Sequence, residues 1–472
     1  MRGGLAWLVV AALGSARGEA NPAHPTKVRA GLALPPCDPL APRPRVHVYN
    51  LPEDLTDAPN SERRWRSYAM FFARVRTSPF YEADGRCADY FLIPHRAFTF
   101  VTSKQPAMRG LAPRLFSFIA QRWPYWNASA RVDSARHIIY SPCDYGPECL
   151  HVDKAYKSRS ARRLPRAHPA DRTRLVLHVE LTGREDWRPS LDGGETCGRC
   201  FLPGVDIRLP SPPDHNCGPL CGYSHAVLVR NAIWGRPPAE RRALLAARRE
   251  HTFFFAGRSM HTGDARSLLR AHHAGRPGWR IGVSAGLGGR VSISDAMLSA
   301  SFCGSPPGKQ DGDSDRFLPA LLFGCIPVFF EHDGQREWRP LEGHPDVPWD
   351  AFSLRVRTRD IAQLHAVLGN ISHARVVRMR TAMAGAWERM LFTSFPIERA
   401  KFDWWRMRAE GGEWAARKSW KWASYLGESG SRDAFAGLMD ILRARLQPDA
   451  PPLMFTSNQR ALEAQLPSGV SS

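Results

Sequence analysis

Two arginines stand where an anion would be held. Arg258 follows Thr252-Phe-Phe-Phe-Ala256 and Gly257, an apolar strand closed by a glycine, so its guanidinium belongs at a strand's carboxyl end. Arg316 opens a helical stretch behind Asp311, Asp313 and Ser314. A guanidinium gives a phosphate two parallel charge-assisted hydrogen bonds. A helix start adds free backbone N–H groups and a favourable field. Ser314 fits an N-cap and is also a candidate phosphate contact. The turn Pro306-Pro-Gly308 would let backbone approach a ligand closely.

The elements that position these groups alternate between strand and helix. Strand-like runs occur at Arg45–Tyr49, Ala88–Pro94, His137–Tyr140, Leu175–Val179, Thr252–Ala256 and Cys325–Phe330. Helical spacing is predicted over 61–76, 108–123, Glu240–Glu250, Ile293–Ala300, Phe317–Phe323, Asp360–Asn370 and Arg375–Leu391. Between 183 and 222 the periodicity fails under Gly, Pro and Cys, which predicts a long loop region. This is an α/β pattern in two blocks, with a boundary near 225–250 and a cleft between them. The expected division is 1–20 signal peptide or short signal-anchor, 21–44 Pro-rich stem, 45–245 first α/β block with the Cys-rich loop region, 246–400 second α/β block, 401–447 C-terminal helices and 448–472 disordered tail. The tryptophans at 404–422 suit packing of those helices better than sugar stacking.

Composition narrows the class. The 472 residues are 43% hydrophobic and 23% charged, as in a folded chain of one or two domains. A net charge of +20 favours anionic partners of any kind. Leu5–Ala16 is an apolar run behind Arg2, roughly 18 Å as a helix and too short for a hydrocarbon core of about 30 Å. It fits a cleaved secretory signal, with an uncleaved anchor as the alternative. Ten cysteines agree with an oxidising lumen. Cys143, Cys149, Cys197, Cys200, Cys217 and Cys221 are disulfide candidates; Cys197-x-x-Cys200 with Cys217-x-x-x-Cys221 also has zinc-ligand spacing, and free thiols are the third possibility. Asn127 and Asn370 lie in N-x-S sequons. The signal and the cysteines speak against a nucleic-acid-binding protein.

Phe302-Cys-Gly-Ser-Pro-Pro-Gly308, Ser314-Asp-Arg-Phe-Leu-Pro-Ala320 and Phe323-Gly-Cys-Ile-Pro-Val328 together resemble the donor-site segment of exostosin-like (GT47-type) glycosyltransferases. Further stretches match that family in order: Val46–Pro52, Ala83–Pro94, Trp126-Asn127 through His137, Asp144-Tyr-Gly146, Phe201–Pro210 and Phe254-Phe-Ala-Gly-Arg258. The resemblance covers about residues 45–390. It implies a GT-B-like fold, two Rossmann-like domains facing across a cleft, and inverting transfer from a UDP-sugar to a glycan or polysaccharide acceptor. It also implies residence in the Golgi lumen or membrane, with a secreted protein as the alternative. Asp313-Ser-Asp315 has the D-x-D form of metal-dependent transferases, but in this setting arginines and helix field would supply the positive charge, so no metal or other cofactor is expected. Inversion needs a base for the acceptor hydroxyl; Asp144 and Asp206 are the candidates, with Asp133 and His137 behind them. One departure stands out. The family's ribose-binding glutamate falls on Pro319, which cannot accept a side-chain bond and is expected to interrupt the helix. Asp315 or Glu331 would then serve the nucleoside, or the chain is a non-catalytic glycan-binding or scaffold protein. Homo- or hetero-oligomers and membrane anchoring through the N-terminus are compatible with either.

Overall fold

Runs of buried apolar residues form two five-stranded sheets, each wholly parallel. The computed structural model describes residues 36–52, 55, 71–72, 74–76, 78–94, 111–126, 136–141, 174–178, 186–187, 197–198, 205–210, 232–257, 264–282, 293–307, 316–331, 339–392 and 431–447. The chain divides into Met1–Leu40 and Ala41–Ser472. In the first unit the Leu40 N–H donates to the Asp38 carboxylate.

The first sheet of the larger unit is built from β1 (Val46–Val48), β2 (Tyr90–Ile93), helix α1 (Leu111–Arg122), β3 (His137–Ser141) and β4 (Arg174–His178). A short antiparallel pair, β5 (Asp186–Trp187) and β6 (Cys197–Gly198), leads to β7 (Ile207–Arg208). The strand order β1-β2-β3-β4-β7 never reverses. The expected loop at 183–222 therefore contains an edge strand, which two residues among Gly, Pro and Cys are too few to announce by periodicity.

The second sheet follows α2 (Pro238–Ala246). It comprises β8 (His251–Ala256), α3 (Ala265–His273), β9 (Trp279–Gly282), α4 (Ile293–Ser299), β10 (Ala300–Ser305), α5 (Phe317–Leu322), β11 (Ile326–Glu331), α6 (Trp349–Phe352) and β12 (Leu354–Arg357). Its order is β12-β11-β10-β8-β9. The chain leaves β8 to one side and returns to the other, which makes β8/β10 the point of reversal, where ligands of open α/β sheets gather. Phe253, Phe254, Phe255, Ile326, Val328, Phe329 and Phe330 are buried along the central strands, as two-sided packing of a parallel sheet requires. Three strands were not expected from sequence. Ala300–Ser305 mixes small and polar residues, Trp279–Gly282 is short, and Leu354–Arg357 carries two arginines at an edge.

After β12 come α7 (Leu364–Gly369), α8 (His373–Ala386) and α9 (Ala434–Ala444). Asp433 caps α9 by accepting from the Ala436 N–H at 2.8 Å. The helix buries Phe435, Leu438, Met439, Ile441 and Leu442. Its Phe435 ring packs against Phe71 and Phe80, its Leu442 carbonyl accepts from the Tyr90 hydroxyl at 3.0 Å, and its Ala434 N–H reaches the Leu391 carbonyl at 2.8 Å. The Trp-rich 404–422 stretch and the tail after 448 lie outside the described residues.

Candidate active site

Three arginines converge at the carboxyl ends of β8 and β10. Asp264 caps α3 by accepting from the Ser267 N–H at 2.6 Å, which sets Arg266 in the first turn and Arg270 one turn later. Arg266 Nε donates to the Pro307 carbonyl at 2.7 Å, and Arg270 donates to the Gly257 carbonyl. Arg316, the N-cap of α5, donates from Nε to the Ala256 carbonyl at 3.1 Å and stands 5.6 Å from the Phe255 ring centroid. A side chain at Gly257 would place its Cβ 2.9 Å from Arg316 Nη2 and from Phe255 Cζ, so the close approach of Arg316 needs a glycine there.

The electrostatics follow from this crowding. Burial, reinforced by the Arg316 charge, pushes the Arg266 guanidinium down to about 10, against the opposing pull of Asp264. Cations gathered in a desolvated corner favour a polyanion between them. A guanidinium's planar fork of N–H donors suits phosphate oxygens.

Of the residues singled out in the sequence, Arg316 stands in this cluster. Arg258, Ser314, Asp315 and Asp144 lie outside the described residues, as do Asn127, Cys143, Cys149, Cys200, Cys217 and Cys221. For Cys197 the structure describes backbone only, in β6. The N-cap of α5 is Arg316, with no side-chain cap bond, and six residues make a weak dipole. Arg266 and Arg270 escaped sequence reading. Their signal was the Asp264 cap followed by two basic residues four apart, just beyond the glycine that ends β8.

Pro319 does not interrupt α5. It is the third helical residue, where no intrahelical partner exists for an N–H, and its own carbonyl accepts from the Phe323 N–H at 3.0 Å. The helix then ends in a Schellman turn. Cys325 N–H reaches the Ala320 carbonyl at 2.8 Å and Gly324 N–H the Leu321 carbonyl at 3.2 Å, with Gly324 at φ 63°. A disulfide joins Cys303 of β10 to Cys325, which the sequence pairing had not singled out; Cys37 and Cys87 are also disulfide-bonded.

Glu331 closes β11 and is bound up in an ion network. Arg355 bridges Glu331 and Glu342, and the buried Arg339 holds Glu342 at 2.9 Å and Asp350 at 2.8 Å. Burial opposes the Arg355 charge, but Glu342 and Glu331 outweigh it and hold its pKa above the usual guanidinium range. A ribose hydroxyl would therefore compete with Arg355 for Glu331. Asp206 is buried directly before β7. His137 is also buried; its Nε2 shares a 2.8 Å hydrogen bond with the Tyr49 hydroxyl among the rings of Phe91 and Trp126. Among the described residues no group of three His, Cys, Asp or Glu side chains could hold a metal; Asp313–Asp315 is not among them.

A parallel α/β sheet with an arginine cluster at its reversal point agrees with the resemblance in the sequence. The profile of the Exostosin GT47 domain matches residues 40–371. The chain belongs to the exostosin GT47 family. Three curated relatives share about a quarter of the matched residues with it. A probable glucuronosyltransferase of Oryza sativa subsp. japonica is 25% identical over 352 residues, 72% of this chain and 73% of its own. Probable glucuronosyltransferase 47 A of Physcomitrium patens is 24% identical over 359 residues, 72% of this chain and 69% of its own. The probable beta-1,4-xylosyltransferase IRX10L of Arabidopsis thaliana is 23% identical over 361 residues, 74% of this exostosin-domain chain and 75% of its own.

Proposed function

We propose that this chain transfers a sugar from a UDP-sugar to a glycan acceptor in the secretory pathway, with inversion at the anomeric carbon. The observation that carries the reading is the convergence of Arg266, Arg270 and Arg316 on the β8/β10 reversal. Arg316, with Arg258, the residue that follows Gly257 in the sequence, grips the diphosphate, so that negative charge developing on the leaving UDP meets fixed cations. The acceptor oxygen bonds to the anomeric carbon as the carbon–oxygen bond to the diphosphate breaks, and UDP departs with the electron pair. A carboxylate takes the acceptor's proton. Asp144 and Asp206 remain the two proposals for it; Asp→Asn at the true base lowers kcat by about 10²–10⁴ with UDP affinity unchanged, and at the other residue it does not.

The N-terminal apolar run supports passage into the Golgi lumen, with or without membrane anchoring, and disulfides fit an oxidising compartment. Arginines in place of a bound cation support metal-independent transfer. A second reading is favoured by Pro319, a buried residue with no side-chain acceptor for a ribose hydroxyl: glycan binding without transfer. Calorimetric titration with UDP, followed by assay of UDP release from nucleotide sugars, separates the two. Binding with release supports transfer; no binding of UDP sinks it.

A further inference from the structure

At the end of the second sheet opposite the arginine cluster, helix C-termini meet two more buried guanidiniums. Arg249, between α2 and β8, donates from Nη1 to the Met297 and Ala300 carbonyls at 2.8 and 2.7 Å, and from Nη2 to the Phe323 carbonyl at 2.9 Å. Met297 lies in the last turn of α4, Ala300 opens β10 directly after that helix, and Phe323 is the C-cap of α5. Trp234 Nε1 takes another α5 carbonyl, that of Leu321, at 3.1 Å. Arg380 of α8 does the same for α2, donating to the Ala247 carbonyl at 2.8 Å, with Nη2 on Ser301 Oγ at 3.1 Å. The final carbonyls of a helix lack intrahelical donors and carry the negative end of its dipole. Here they serve as the acceptors for Arg249 and Arg380, and among the described residues neither arginine pairs with a carboxylate. Burial, then the charge of Arg380, holds the Arg249 pKa well below the usual range.

α5 is thus fixed at both ends. Its start is Arg316, bonded to the Ala256 carbonyl; its end is gripped by Arg249, Trp234 and the Schellman turn at Gly324. A Cβ at Gly324 would lie 3.1 Å from Arg249 Nη2, so the glycine also admits the arginine. Six helical residues span roughly 9 Å, a rigid length too short to absorb a shift at one end without passing it to the other. We propose that Arg249 is a positioning residue for the diphosphate site, acting through α5 on Arg316. The proposal rests on the reading of Arg316 as a phosphate ligand.

The test is a double-mutant cycle on the full chain. Arg249→Gln should weaken UDP binding about tenfold in the wild-type background and less than about twofold beside Arg316→Lys; Arg249→Lys, which keeps the charge without the fork, should recover part of the loss. Amide exchange over 316–325 should rise in Arg249→Gln. Arg380→Lys, at a matched buried guanidinium, should lower the melting temperature and leave UDP affinity unchanged. Equal losses of UDP affinity in both backgrounds, or unchanged exchange over 316–325 in the folded variant, would overturn the proposal. Should Arg249→Gln not fold, Arg249→Lys carries the same cycle and exchange comparison with a smaller expected effect. Should the wild type not bind UDP, transfer itself fails, and exchange over 316–325 still decides whether Arg249 holds α5.

Discussion

Pro319 changes meaning once its helical position is known. In a helix interior a proline costs about 3 kcal/mol, because it removes a hydrogen bond and crowds the preceding turn. At the third residue of α5 it removes none, and its ring is buried with the rest of the helix. Pro319→Ala should therefore lower stability by about 1 kcal/mol, through lost ring packing and a freer unfolded chain, where relief of an interior proline would raise it. Urea unfolding of the two forms reads the sign. The residue's identity was plain in the sequence; its cost was not, because cost depends on where a helix begins, and an arginine cap without a side-chain bond leaves no Ser/Thr/Asp signature. Arg316 was legible for the opposite reason, standing at the junction of a turn and an apolar helix.

At the scale of elements, the segment from β10 to β11 is closed by two devices. Gly324 allows the left-handed turn, and a Cβ there would lie 2.7 Å from Ile233 Cδ1. Gly324→Ala should lose about 2 kcal/mol, partly backbone strain and partly displacement of Ile233, measured as a lower urea midpoint at constant m-value. The Cys303–Cys325 bond closes a loop of sequence separation 22, so its removal by Cys303→Ser with Cys325→Ser should cost about 3 kcal/mol. Both cysteines are buried, so thiol labelling of the native protein in reductant should require unfolding. Long apolar strands such as β8 and β11 declared themselves in sequence. β10 did not, since its small residues continue from the α4 pattern, and the helix expected over Ile293–Ala300 ran into its first residue. Arg266 and Arg270 join the candidate site only through the docking of α3 beside β8, a tertiary relation that a helix's own periodicity does not encode.

At the scale of the whole molecule, three histidines are harder to protonate in the fold than in the unfolded chain. Burial lowers the pKa of His47, His273 and His344 below the usual 6.5; it outweighs partners that all pull upward at His47 and partners that pull in both directions at His273 and His344. The unfolded chain then binds more protons than the folded one, so stability is lost as pH falls below about 6.5. Thermal unfolding should be flat near pH 7.5 and decline toward pH 5. His344→Asn should reduce that slope, because Asn retains an acceptor for the Asp346 N–H, which donates to His344 Nδ1 at 3.0 Å, and does not titrate. An unchanged slope in the variant would remove His344 from the account. The sequence made the α/β class legible through its alternation, while the reversal of strand order in the second sheet and its absence in the first are properties of pairing. α9 adds a matter of timing. The Tyr90 hydroxyl waits for the Leu442 carbonyl, 352 residues later, and Phe71 and Phe80 wait for Phe435. At about 5–20 residues per second a ribosome takes roughly 20–70 s to supply that partner. The first sheet is therefore born with one flank open, and Tyr90, Phe71 and Phe80 gain these partners only when α9 emerges.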